Sequence, residues 1–131
     1  MIHLNEVESK RIIGKLQRKY PKKEGWTVQQ REGKDKKKPD FLVERRNPEK
    51  KLERVVVDAK PTKRISEKDV ARLNIYAGNM AGGGSRILGK IFAVPKGVSA
   101  DKVPKGMEIL FYEQDIVVQD MPQVETLIPA S

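Results

Sequence analysis

Three consecutive valines, Val55-Val56-Val57, run directly into Asp58-Ala59-Lys60. A β-branched run of this kind reads as a strand, spanning residues 52–60. Side chains alternate faces along a strand, so Asp58 and Lys60 point one way and Ala59 the other. A strand interior behind three valines is buried, and a buried acid needs a partner or a metal. Lys60 is one candidate partner, through an ion pair along the same face.

The remaining segments follow from local signals. Ile12, Ile13, Leu16 and Tyr20 form a stripe at helical spacing, which predicts a helix over 5–20 that Pro21 closes. Residues 26–31 alternate weakly and read as a first strand, and 41–45 as a second after Pro39, a residue tolerated at a strand entrance. Asn47-Pro48 marks a turn into the valine strand. The short connections predict an antiparallel meander of these three strands. Ser66 is a suitable N-cap, with Asp69 three residues on, for a helix over 66–80 whose apolar face is Val70, Leu73 and Ala77. Gly82-Gly83-Gly84-Ser85 ends that helix. It lacks the Gly-Lys-Ser/Thr ending of a P-loop and reads as a turn. Residues 87–94 and 108–112 read as further strands. Beyond Asp115, 116–118 has strand character and 123–128 fits a helical turn.

Composition narrows the chemistry. The 131 residues, 37% of them hydrophobic, support one modest, mainly aliphatic core, so the whole of 1–131 is read as a single domain. Lysine and arginine number 27 against 18 acidic residues, a net charge of +9 that attracts polyanions, nucleic acid foremost. No stretch approaches the roughly 20 apolar residues that span a bilayer, and the polar start Met1-Ile2-His3-Leu4-Asn5-Glu6 does not read as a secretory signal. The expected location is the cytoplasm, with no membrane partner. The chain has no cysteine and one histidine, which leaves carboxylates and lysines for any catalysis.

Pro39-Asp40 before the second strand, a variable hairpin, then Asp58-Ala59-Lys60 resembles the signature of the PD-(D/E)xK nuclease superfamily. The order helix, three strands, helix, strand is also that family's α-β-β-β-α-β core. The resemblance covers residues 5–95 and is strongest between 39 and 76. It implies an α/β fold, a restriction-endonuclease-like core with a central mixed sheet flanked by helices. It implies that Asp40 and Asp58 ligate Mg²⁺ or Mn²⁺, that the Ala59 carbonyl supplies another oxygen, and that Lys60 acts on the water or the scissile phosphate. Many members add a glutamate from the first helix. Spacing leaves Glu6 and Glu8 open, and Glu8 is preferred because its i+4 and i+8 neighbours are Ile12 and Leu16. Tyr76 fits the aromatic that members often carry on the second helix, while Arg72 stands where glutamine is commoner and is suited to a phosphate contact.

Lys36, Lys37 and Lys38 before Asp40, with Lys63 and Arg64 after Lys60, are expected to form a phosphate-binding rim. The expectation is a metal-dependent endonuclease acting on DNA, with RNA left open and a homodimer admitted by the resemblance to small archaeal Holliday-junction resolvases. The alternative is a non-catalytic nucleic-acid-binding or assembly protein on the same fold. A second alternative is a basic domain that binds a protein partner, with Asp58 and Lys60 as an internal ion pair.

Overall fold

The computed structural model describes residues 5–31, 38–60, 64–98 and 103–113. The elements run α1 (Glu6–Lys19), β1 (Thr27–Gln30), β2 (Phe41–Arg46), β3 (Leu52–Ala59), α2 (Glu67–Met80), β4 (Arg86–Pro95) and β5 (Met107–Tyr112). A short 3-10 turn, Lys22–Glu24, lies between α1 and β1. The strands form one sheet in the order β1-β2-β3-β4-β5. β1, β2 and β3 pair antiparallel, as the short connections predict, whereas β4 is parallel to β3 and β5 is parallel to β4. Among the described residues the result is an α/β fold with a five-stranded mixed sheet and two α-helices. The readings at 116–118 and 123–128 lie outside the described residues.

Both helices begin with a capping box. Asn5 Oδ1 accepts from the Glu8 N–H while the Asn5 N–H donates to Glu8, and Ser66 and Asp69 repeat the arrangement in α2. After α2 the chain reverses through three glycines at positive φ (104°, 59° and 84°), a backbone path that side chains with a Cβ resist.

The valine run shows why the helices take opposite faces. Val55 and Val57 pack with Phe41, Val43, Ile91, Ala93 and Tyr112 beneath Ile12 and Leu16 of α1. Val56 packs with Phe92 and Val94 beneath Leu73, Tyr76 and Ala77 of α2. β3 is therefore covered on both sides, and Asp58, which shares Val56's direction, lies on the α2 face. Leu73 is fully buried there. Leu73→Ala is expected to cost about 2–5 kcal/mol, read from denaturant melts. Among the described residues no helix is long and apolar enough to cross a membrane.

Candidate active site

The pairing of β2 with β3 matches Phe41 to Val57, which sets Asp40 opposite Asp58 one step further along. On the other flank of β2, the Arg31 N–H donates to the Asp40 carbonyl at 2.9 Å, so Arg31 follows β1 into the same row. On β4, Asp58 pairs with Phe92. The row across the sheet reads Arg31, Asp40, Asp58, Phe92: charged on the β1 side and apolar on the other.

This setting explains the state of Asp58. It is 4% exposed beside the fully buried Phe92. Burial, a hydrogen bond with the Asp40 carboxyl and that carboxyl's charge push its pKa up to about 8, against the opposing pull of Arg72. Two carboxyls at hydrogen-bond distance cannot both ionise cheaply, and a proton between them relieves the repulsion. Asp40 is fixed from two sides. Its Oδ2 accepts from the Ala59 N–H at 2.8 Å and its Oδ1 pairs with Arg31 at 3.0 Å.

The first turns of α2 bring three further side chains over the row. Asp69, 2% exposed, closes the helix cap through Oδ2, which accepts from the Ser66 N–H at 2.7 Å. Its Oδ1 binds Arg72 at 2.7 Å and Lys60 Nζ at 3.0 Å. Burial works to raise the Asp69 pKa, but the Ser66 hydrogen bonds and the Lys60 ammonium hold it below the ordinary carboxylate value. Arg72 spans the gap, with its Nε 3.4 Å from Asp58 Oδ2. Tyr76 lies one turn further on, and burial together with the Asp58 charge raises its hydroxyl pKa.

The sequence expectations meet this geometry unevenly. Asp40, Asp58, Ala59, Lys60 and Arg72 come together. Lys60, however, pairs with Asp69, and the cation beside Asp58 is Arg72. Glu8 is buried on α1 as part of the capping box, whereas Glu6 is exposed and paired with Lys10 at 3.6 Å. α1 lies on the opposite sheet face from Asp58, and among the described residues no group of three carboxylate, imidazole or thiolate ligands stands together. Lys38 and Arg64 are exposed. Lys36, Lys37 and Lys63 lie outside the described residues. Asp69 and Arg31 were not expected at the site. Arg72 three residues after Asp69 on a helix was the available signal for the first; for Arg31 only the strand register supplies it.

Chemically, two carboxylates at close quarters are a hard-oxygen donor set. Such a set suits Mg²⁺ or Mn²⁺, which retain several waters and need only one or two protein carboxylates. A dication there would offset the repulsion that helps to raise the Asp58 pKa.

Comparison with known proteins gives no relative: no family model, no curated protein and no solved structure matches this chain.

Proposed function

We propose that this chain is a divalent-metal-dependent deoxyribonuclease of the PD-(D/E)xK type, built on a restriction-endonuclease-like core. The observation that carries the reading is the Asp40–Asp58 pair, Asp58 buried and Asp40 half-buried, aligned across two strands with Lys60 two residues on and on the same face. Support comes from the element order, with its antiparallel meander and the parallel strand after α2, and from the charge of +9.

Asp40 and Asp58, with the Ala59 carbonyl, would hold the ion. When bound, Mg²⁺ or Mn²⁺ supplies Lewis-acid charge that makes water more acidic and polarises phosphate oxygens. The protein's own groups do the rest. Asp40 orients the β3 backbone through the Ala59 N–H. The Lys60 ammonium and the Arg72 guanidinium, held by Asp69, present positive charge where a phosphodiester gains negative charge as water attacks phosphorus and the opposite P–O bond breaks. Arg31 steadies Asp40 from the open side.

The test is cleavage of linear, single-stranded, flapped and four-way-junction DNA with Mn²⁺, repeated with chelator. Metal-dependent cleavage by purified protein is the expected result. The second reading, a nucleic-acid-binding protein without catalysis, is favoured by one observation: Lys60 and Arg72 both have acidic partners within the chain. Salt-sensitive DNA binding with no cleavage under any metal would select it.

Charge makes a further prediction. Replacing Lys36, Lys37 and Lys38 together is expected to weaken binding to every DNA sequence. On duplex DNA it should also reduce the log–log salt slope by about 0.9 for each phosphate that the loop no longer neutralises. An unchanged slope, measured by titration over a salt series, would remove the loop from the interface.

A further inference from the structure

Among the described residues, α2 covers β3 and β4 and nothing covers the same face of β1 and β2. The uncovered strip is a cleft of about 640 Å³ that opens beside Asp40. Its floor is apolar, made by Pro39, Leu42 and Met80, with Leu42 half-buried. Its far wall is polar and already braced. Glu44 accepts from Gln29 Nε2 at 2.9 Å and from Arg54 Nε at 3.0 Å, and Arg54 also donates to the Met80 carbonyl at 2.8 Å. At the near end, Arg31 and Lys38 bring positive charge. The Arg31 guanidinium joins cleft to carboxylates, since it holds Asp40 at 3.0 Å and donates to the Lys38 carbonyl at 3.1 Å.

We propose that this cleft binds one unpaired nucleotide next to the scissile phosphate, its base on the Leu42–Met80 floor and its hydrogen-bonding edge against Gln29, Glu44 and Arg54. The inference rests on the nuclease reading for where the scissile phosphate lies. Leu42 is two residues from Asp40 on the same face, about 7 Å along the strand. A phosphate at the carboxylates therefore places the adjoining base over Leu42. The cations at the near end match the backbone phosphate. The wall groups retain capacity for a base edge: the Gln29 amide has its carbonyl and its second N–H, and Arg54 has its other terminal nitrogen. A base in a duplex has this edge occupied by its partner and its faces stacked, so only a single-stranded or extruded base can enter. The substrate class is thus nucleic acid with an unpaired nucleotide at the cut.

The probe is a single-stranded oligonucleotide compared with an abasic backbone of equal length and charge, titrated by fluorescence anisotropy in Ca²⁺. Wild-type protein is expected to prefer the base-bearing strand by about tenfold or more. Gln29→Ala, at an exposed strand position, should shrink that preference to under about threefold while leaving abasic affinity unchanged, because the phosphate contacts stay. Leu42→Ala, checked by melting, should do the same from the floor. A wild-type ratio near one would overturn the proposal, as would a ratio that neither variant moves. So would variants that change only the oligomeric state, which would assign the cleft to a second copy. Duplex arms identify the source of the base. Tighter binding of a mismatched than of a perfect duplex supports extrusion, and a preference for single strands alone supports a strand end. Mn²⁺-dependent cleavage on the same strands, with Asp58→Asn as control, separates the two readings. Cleavage with a ratio near one sinks the cleft and leaves the nuclease, while a tenfold ratio without cleavage sustains the cleft and sinks the nuclease.

Discussion

Asp58→Asn is expected to remove cleavage and, at the same time, to stabilise the metal-free protein at neutral and alkaline pH. The loss follows from the metal site: with one of two carboxylates gone, turnover should fall by a factor on the order of a thousand or more. Binding to DNA should persist, since lysines and arginines supply it. The stability gain follows from the raised pKa of Asp58. Between the ordinary carboxyl value of 3.8 and about 8, the folded protein holds a proton that the unfolded chain has released. Wild-type stability therefore falls as pH rises through that window, by a few kcal/mol, or on the order of 10 °C in melting temperature. Asparagine has no proton to lose, so the variant's profile should be flat there. Mg²⁺ or Mn²⁺ should restore the wild type at high pH and leave the variant unmoved. Carboxylates held below their ordinary range, such as Asp69 and Glu53, contribute the opposite slope, but only in more acidic solution. Thermal melts from pH 5 to 9 with and without metal decide the matter. A wild-type profile that does not fall with pH would remove the shared proton from the account, and wild-type turnover in clean Asp58→Asn would remove the catalytic assignment.

Lys60→Ala separates chemistry from stability. Turnover should drop by a factor on the order of a hundred or more with little change in DNA affinity, because the ammonium acts on charge that develops during the reaction. Stability should fall by only about 1 kcal/mol, since the cost of several kcal/mol attaches to a buried acid left without any partner. Asp69 would keep Arg72 at 2.7 Å and the Ser66 N–H at 2.7 Å. Arginine should rescue activity poorly, because its planar fork cannot place a point charge where the ammonium sat. Single-turnover kinetics beside melts provide the test. A large fall in melting temperature with activity preserved in the cold would make Lys60 a structural ion-pair partner and end the proposed mechanism.

Those elements whose signals are local were legible in the sequence. The valine strand, the Ser66 cap with Asp69 beside it, the glycine turn and the meander all depend on neighbours a few residues apart, where periodicity and turn chemistry apply. Strand alternation also placed Asp58 and Lys60 on one face. Partners were less legible, because a contact across the sheet depends on register and on helix rotation. Hence Lys60 meets Asp69 rather than Asp58, and Arg31 reaches Asp40 from the end of a strand whose alternation is weak. The choice between Glu6 and Glu8 turned on two edges of one apolar stripe. The structure buries Glu8 and exposes Glu6, yet gives Glu8 to the helix cap.

The strand order has a consequence for how such a site can be inherited and altered. Because each strand in the sheet lies beside its predecessor in the chain, the groups from Asp40 to Tyr76 belong to one unbroken passage: a hairpin and the helix that follows. Among the described residues, Arg31 is the one charged group of the row from outside it, and Phe92 of β4 the apolar one. The connection between β4 and β5, in its described residues 96–98 and 103–106, donates nothing to the carboxylate row. It is the natural place for lengthening, fusion or a recognition insert, with the chemistry carried along unchanged.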